Sequence, residues 1–230
     1  GLVGRNGAGK TTMTKIIAGE GQPTGGKVSH SGSIGYLPQD PRAGDPEQLA
    51  MTRILNARGL GDIIERLNQA GIDMASDDPQ VHDAAMRRYS RLQEQFESAG
   101  GYAAEAEAAS IASNLGIENR ILQQPLKTLS GGQRRRVELA TILFSGADTL
   151  LLDEPTSGLD PAASKDFARL LEQMKGRGAA VLMATHDLFR AKETGTRIGI
   201  MNRGELIDER KAAEISHSDL EQLYLTHINA

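Results

Sequence analysis

A glycine-rich segment near the start of the chain constrains its fold most strongly. Residues 4–11 read Gly-Arg-Asn-Gly-Ala-Gly-Lys-Thr and match the pattern G-x-x-x-x-G-K-[ST]. The apolar pair Leu2-Val3 precedes the segment, and Met13 and Ile16 follow it at the spacing of one helix face. Glycine lets the backbone turn so that successive N–H groups face phosphate oxygens, and a following helix adds its positive N-terminal end. The segment therefore predicts a strand, a phosphate-binding loop and a helix.

Residues 4–12 are called the phosphate loop below. In such a loop we expect Lys10 to reach the β- and γ-phosphates, the Thr11 hydroxyl to ligate Mg²⁺, and Thr12 to add a phosphate contact. A glycine-rich turn that happens to end in Lys-Thr is the alternative, and the strand-to-helix context argues against it. The residues predicted to bind nucleotide in this loop are Gly4, Asn6, Gly7, Ala8, Gly9, Lys10, Thr11 and Thr12.

Two carboxylates follow a second apolar run much further along the chain. Leu150-Leu151-Leu152 has the continuous apolar character of a buried parallel strand, and Asp153 and Glu154 come directly after it. Ligands in open α/β sheets bind outside the carboxyl ends of the strands, so this acidic pair is expected near the phosphate loop. Asp153 is then the predicted Mg²⁺ partner, and Glu154 the residue that orients or deprotonates an attacking water. Without the phosphate loop, Asp-Glu-Pro after a strand would read as an ordinary turn.

The remaining pattern divides the chain into an α/β core and a helical insertion. Strand and helix signals alternate outside the insertion, which predicts a mostly parallel sheet covered on both faces. Predicted elements include a strand at 27–30 and a single helix over 47–69. In the helix predicted over 80–98, Ala85, Tyr89, Leu92 and Phe96 form one apolar seam, as in an antiparallel helical arm. The predicted domains are a discontinuous nucleotide-binding core over 1–45 and 125–210, a helical subdomain with an extended arm over 46–124, and a C-terminal helical tail over 211–230.

Composition excludes several classes of protein. The chain has 230 residues, 39% of them hydrophobic, which suits one globular domain with a subdomain. It contains no cysteine, which excludes disulfides and thiolate metal sites and fits the cytoplasm. No apolar run approaches the roughly 18 residues of a membrane span, so any membrane role requires a partner subunit. The net charge of −4 provides no general attraction to nucleic acid.

A third motif makes the combination specific. Residues 129–133, Leu-Ser-Gly-Gly-Gln, precede a predicted helix, and Gln133 stands 20 residues before Asp153. Together with the phosphate loop and the acidic pair, this segment closely resembles the signature motif of ATP-binding cassette (ABC) proteins. The resemblance spans nearly the whole chain and implies an α/β P-loop NTPase fold that binds and hydrolyses ATP with Mg²⁺. It also implies that Ser130, Gly131, Gly132 and Gln133 contact the ATP of a second cassette, so that two cassettes pair head to tail as a homodimer or heterodimer.

The resemblance carries three further assignments. Gln39 is similar to the family's Q-loop glutamine, which senses Mg²⁺ and water and counts among both the catalytic and the metal-contacting residues. Asp160 ends Ser-Gly-Leu-Asp, which is similar to the D-loop beside the nucleotide. His186, in Thr185-His186-Asp187, is similar to the switch histidine that contacts the γ-phosphate. The predicted catalytic residues are thus Glu154, His186 and Gln39, and the predicted metal contacts are Thr11, Gln39 and Asp153.

Two branches of the family fit different parts of the chain. Ser130 follows Gln39 by 91 residues, and this long helical stretch, with the signature segment through residue 140, resembles the ABC-F translation factors, which act at the ribosome. The D-loop at 157–160 and the last 75 or so residues instead resemble the ATP-binding subunit of a membrane exporter. A ribosome and a transmembrane subunit are therefore both open as partners. A catalytically silent nucleotide-binding fragment is the third reading.

The first residues carry one more expectation. The chain opens on Gly1-Leu2-Val3, which has the pattern of a strand that is already under way and is typical of a fragment. Proteins of the family place an aromatic residue that stacks on adenine in strands before the phosphate loop. We therefore expect this chain to bind adenine more weakly than a complete cassette.

Overall fold

The computed structural model describes residues 1–39 and 45–228, in two compact units. The sheet unit comprises Gly1–Arg42 and Gly146–Ala230, and the helical unit comprises Ala43–Ser145. The division differs from the sequence-based boundaries, which put residues 125–145 in the nucleotide-binding core. The reason is that the long helix after the signature segment packs against helices of the insertion. The last two residues of the predicted tail lie outside the described residues.

The helices follow from caps and apolar spacing along the chain. Several begin at side-chain or proline caps, such as Asp78 before Pro79, and end at glycine or polar residues. The helices are α1 (Lys10–Ile17), α2 (Ala50–Leu55), α3 (Gly61–Asp73), α4 (Pro79–Ser98), α5 (Gly101–Asn114), α6 (Asn119–Leu122), α7 (Gly131–Phe144), α8 (Pro161–Gly176), α9 (Leu188–Thr194) and α10 (His217–Ile228). No helix within the described residues is both long enough and apolar enough to cross a membrane.

Six strands form one sheet in the sheet unit, and five of them run parallel, as predicted. The sheet has the order β2-β3-β4-β1-β5-β6, with β6 antiparallel to β5. The segment predicted as a strand at 27–30 is not one: its four residues are exposed and belong to none of the paired strands of the described residues. The strands are β1 (Leu2–Val3), β2 (Ile34–Leu37), β3 (Thr149–Asp153), β4 (Ala180–Thr185), β5 (Arg197–Asn202) and β6 (Glu205–Lys211).

Parallel pairing brings four strand ends to one edge of this sheet. Val3 at the end of β1 lies beside Thr185 at the end of β4, and Asp153 at the end of β3 lies beside Ala184. Leu37 of β2 lies beside Leu152 in the same way. Each of these strands is therefore followed directly by a segment that the sequence analysis assigned to the nucleotide site.

The helical unit contains the predicted apolar seam and one break that was not predicted. In α4, Ala85, Leu92 and Phe96 are buried and Tyr89 is half-buried, and α4 packs against α3. The single helix predicted over 47–69 is instead α2, a 3₁₀ turn and α3. Gly59 ends that turn at a φ of 75°, a left-handed conformation that no helix interior accepts.

Candidate active site

The phosphate loop connects β1 to α1 as the sequence predicts. Gly7 and Gly9 have φ angles of 82° and 99°, in the left-handed region that glycine adopts without a steric penalty. The ammonium of Lys10 donates to the carbonyl oxygens of Gly4, at 2.7 Å, and Arg5, at 3.2 Å. Lys10 is buried, and its charge therefore lies inside the arch of the loop rather than in solvent.

The turn between β5 and β6 packs against the phosphate loop and donates a hydrogen bond to it. The N–H of Gly204 donates to the carbonyl oxygen of Ala8 at 2.9 Å. A Cβ atom on Gly4 would lie 2.5 Å from the carbonyl oxygen of Met201, and one on Gly9 would lie 3.2 Å from the Cα of Gly204. Packing against this hairpin thus excludes a side chain at Gly4 and leaves little room for one at Gly9, a constraint beyond phosphate geometry that was not predicted.

The two residues of the acidic pair, at the end of β3, differ in their backbone surroundings. Asp153 is fully buried in register with Ala184 of β4. Glu154 has a φ of 49°, unusual for a residue other than glycine, and its N–H donates to the carbonyl oxygen of Ala184 at 2.8 Å. Strained backbone of this kind is concentrated at functional sites, where the surrounding structure holds it in place.

Two consecutive residues at the end of β4 contact the Glu154 carboxylate. The hydroxyl of Thr185 donates to Oε2 of Glu154 at 3.1 Å, and Nδ1 of His186 lies 3.0 Å from the same oxygen. Thr185 is buried, whereas the His186 side chain is 66% exposed. The sequence analysis named His186 but gave Thr185 no role. Its position directly before the histidine, at the end of a buried strand, was the only available signal.

One cleft in the sheet unit brings most of the predicted residues together. It has a volume of about 310 Å³ and is lined by Arg5 through Thr12, Gln39, Asp153 and Glu154. Gly4 lies behind the loop against Met201 and does not line the cleft, and Arg5 lines it although the sequence analysis did not name it. The structure thus places the phosphate loop, the Q-loop glutamine and the acidic pair around one space of a size typical of ligand sites.

The donors around this cleft suit Mg²⁺. Thr11, Gln39 and Asp153 offer a hydroxyl, an amide and a carboxylate oxygen, all hard ligands. Mg²⁺ in nucleotide sites is commonly held by one or two carboxylates together with substrate phosphates and water. Among residues 1–39 and 45–228 no cluster of three or more acidic or histidine side chains offers a closed metal cage. The donor set therefore fits a metal that arrives with a nucleotide.

The predicted signature residues form the N-terminus of α7 in the helical unit. The Ser130 hydroxyl accepts from the N–H of Gln133 at 3.2 Å, and the Gln133 side chain accepts from the N–H of Ser130 at 2.9 Å. This capping box occupies two of the donors at the helix start. The N–H groups of Gly131 and Gly132 lie in the first turn, where the helix itself supplies no acceptor. This helix start has the donors and dipole of an anion site.

Asp160 caps a different helix. Its carboxylate accepts from the N–H of Ala163 at 2.9 Å, and Pro161 occupies the first position of α8. Asp160 is absent from the lining of the cleft. In the sheet unit its observed contact is therefore that of an N-cap, and its predicted contact with nucleotide remains a prediction.

Comparison with known sequences identifies related proteins. A family model described as ABC transporter matches residues 1–157. The tylosin resistance ATP-binding protein TlrC of Streptomyces fradiae is 39% identical over 89% of this chain and 37% of its own length. The energy-dependent translational throttle protein EttA of Mycobacterium tuberculosis is 32% identical over 89% of this chain and 36% of its own length. The chain therefore spans about a third of the length of these curated relatives.

A protein of a transport system is also similar to this chain in sequence. The methionine import ATP-binding protein MetN of Streptococcus pyogenes is 29% identical over 97% of this chain and 58% of its own length. Among solved structures, a dimeric ATP-binding cassette in a post-hydrolysis state, bound to ADP and Pi, superposes with a TM-score of 0.64 at 23% identity. That match covers 92% of this chain and 84% of the other, and it establishes a shared fold.

Proposed function

Because the chain belongs to the ATP-binding cassette family of ATPases, we propose that it binds ATP with Mg²⁺ in the cleft of the sheet unit and hydrolyses it. In this assignment the phosphate loop holds the β- and γ-phosphates through its N–H groups and Lys10. Thr11, Gln39 and Asp153 hold the metal, which supplies charge neutralisation for the transferred phosphoryl group. Phosphoryl transfer depends mainly on positioning and charge, and both are supplied by these fixed groups.

Glu154 is the proposed general base. Its carboxylate lines the cleft beside the phosphate loop and is held by Thr185 and by His186. A carboxylate fixed within reach of the γ-phosphate can orient a water and accept its proton, an effect worth roughly 10²–10⁴ in rate. His186, mostly exposed and 3.0 Å from Glu154 at the end of β4, is the proposed contact to the γ-phosphate. The single observation that carries the proposal is the convergence of the phosphate loop, Gln39 and the acidic pair on one cleft.

A second cassette is the proposed partner. The start of α7 offers the N–H groups of Gly131 and Gly132 beside the capped Ser130, which suits the phosphates of another chain's ATP. The similar fold of a dimeric cassette bound to ADP and Pi supports this arrangement. In such a sandwich ATP favours the closed pair because it binds that state more tightly, and hydrolysis removes the preference. Asp160 would lie near the shared nucleotide in this arrangement.

Turnover measurements test the active-site assignment. We expect Lys10→Ala to abolish ATP binding, because it removes the charge that the loop directs at the phosphates. Glu154→Gln should retain binding and lose roughly 10²–10⁴ in turnover. Release of phosphate and binding of a fluorescent ATP analogue are measured side by side on both variants. Equal turnover in wild type and both variants would show that hydrolysis takes place elsewhere or in a contaminant.

Within the family, the proposed class is a ribosome-associated ATPase of the ABC-F type, working in the cytoplasm. The support is the long helical unit and the similarity to the translational throttle protein and the tylosin resistance protein. The test is co-sedimentation with ribosomes in the presence of ATP, with Glu154→Gln to prolong the ATP-bound state. We expect ATP-dependent binding that Lys10→Ala removes. Absence of binding at every salt concentration would reject this class.

The second candidate is the nucleotide-binding subunit of a membrane exporter. The Ser-Gly-Leu-Asp D-loop favours it, and the similarity to a methionine import ATP-binding protein favours a transporter subunit in general. Affinity purification from membranes separates the two candidates. Recovery of one integral membrane subunit in stoichiometric amount supports the exporter, whereas recovery of ribosomal particles supports the ABC-F assignment.

A further inference from the structure

The Thr185 side chain bridges the two segments that meet at the proposed base. Its hydroxyl donates to Oε2 of Glu154 at 3.1 Å and accepts from the N–H of Asp187 at 3.1 Å. The side chain is buried at the end of β4. One hydroxyl thus connects the acidic pair to the backbone that carries His186.

This contact adds a side-chain restraint to a residue whose backbone is already hydrogen-bonded to Ala184 and Ser157. The N–H of Glu154 is bonded to Ala184, and its φ of 49° is a conformation that an ordinary residue leaves unless its surroundings restrain it. The Thr185 hydroxyl and His186 both contact Oε2, so they fix the rotation of the carboxylate about its last torsion. The His186 side chain is mostly exposed, whereas Thr185 is buried at the end of β4.

We propose that Thr185 is a positioning residue for hydrolysis, which holds the Glu154 carboxylate in the orientation that accepts a proton from the attacking water. The inference rests on the proposed role of Glu154 and adds a residue that does not line the nucleotide cleft. Thr185 acts through Glu154, and its loss therefore affects the chemical step and leaves ATP binding intact. Serine, which retains the hydroxyl, should substitute for threonine, and valine, which retains only the shape, should not.

Steady-state kinetics of Thr185→Val and Thr185→Ser test this role. We expect Thr185→Val to lower kcat by about tenfold to a hundredfold, with KM for ATP unchanged, because a small misplacement of a catalytic group costs rate and not affinity. Thr185→Ser should restore most of the rate. Thr141→Val is the matched control, since it removes another buried hydroxyl bond, from Thr141 to Val137 within α7 of the helical unit. Equal kcat in Thr185→Val and wild type, or no rescue by serine, would overturn the proposal.

A double substitution separates this proposal from the function on which it rests. If Thr185 acts through the carboxylate, Thr185→Val should cause no further loss in a Glu154→Gln background. If Glu154→Gln itself leaves turnover unchanged, the proposed function fails. If Glu154→Gln abolishes turnover while Thr185→Val has no effect, only the positioning role fails. A crystal structure of Thr185→Val gives a readout independent of turnover: we expect a rotated Glu154 carboxylate, and an unchanged one contradicts the proposal.

Discussion

Gly4 occupies a position with no room for a side chain. A Cβ atom there would approach the carbonyl oxygen of Met201 to 2.5 Å and the Cβ of Ala8 to 3.0 Å, and the first of these is backbone that cannot rotate away. We predict that Gly4→Ala lowers the free energy of unfolding by about 1–3 kcal/mol, as overpacking typically does. Urea denaturation measures the change, and weaker nucleotide binding should accompany it because the loop is displaced.

Gly25 is the matched control for this substitution. A Cβ atom on Gly25 meets nothing within 4 Å, and its φ lies outside the left-handed region. Gly25→Ala should therefore leave stability nearly unchanged. A comparable loss in both variants would mean that the general conformational freedom of glycine, and not contact with Met201, explains the result at Gly4.

Individual site residues differ in how far the sequence could predict them. Lys10 lies in the phosphate-loop motif, and Asp153 and Glu154 follow a buried strand directly. Both local patterns are typical of nucleotide sites, and the structure brings the three residues to one cleft. Thr185 contacts Glu154 across 31 positions of the chain, and only the register of β3 against β4 makes that pair neighbours. Pairing register is a property of the folded sheet, so no local pattern could have revealed this contact.

One ion pair joins two helices of the helical unit. Arg53 of α2 donates two hydrogen bonds to Glu138 of α7, at 2.9 and 2.7 Å, and this contact raises the pKa of Arg53 above its ordinary value. The Glu138 side chain is only 4% exposed, and that of Arg53 is 22% exposed. We predict that Arg53→Met destabilises the chain by about 2–3 kcal/mol, less than the roughly 3–5 typical of fully buried pairs, because it leaves a buried carboxylate without its cation.

The double variant Arg53→Met/Glu138→Leu should regain most of this stability, because two apolar side chains of suitable volume can replace a buried pair. Lys127→Met is the control, since Lys127 and Glu47 form a pair that is exposed on both sides. It should change the urea midpoint little. If the double variant is as unstable as Arg53→Met alone, the lost stability comes from packing of the arginine stem and not from the unpaired carboxylate.

Helices and strands were predictable where one periodicity continued without interruption. The apolar seam of α4 follows the helical period throughout, and the apolar run of β3 is continuous. Both elements form as expected. The helix predicted over 47–69 failed at Gly59, whose left-handed φ ends the 3₁₀ turn before α3 begins. The strand predicted at 27–30 failed because strand propensity alone does not supply a neighbouring strand to pair with.

At the scale of the whole molecule, the proposed composite site predicts nucleotide-dependent association. We expect Glu154→Gln to form a dimer in ATP and to remain a monomer in ADP, because only the uncleaved triphosphate bridges the phosphate loop of one chain and the α7 start of the other. Sedimentation velocity distinguishes the two states. Adding Ser130→Arg to Glu154→Gln should prevent the dimer while ATP still binds each chain. A dimer that persists in this double variant would contradict the head-to-tail arrangement.

The hydrogen bond from Gly204 to Ala8 has a consequence for folding during synthesis. During synthesis the phosphate loop leaves the ribosome well before the hairpin that supports it, because Gly204 follows Ala8 by 196 positions (204 − 8). β1 pairs with β4 on one side and β5 on the other, and both lie in the second half of the sequence. β1 therefore has no neighbouring strand until they are translated. A nascent chain that stops short of β5 therefore carries the loop's complete motif without the strand and hairpin that support it, and we expect the nucleotide site to form only once β5 and β6 have emerged.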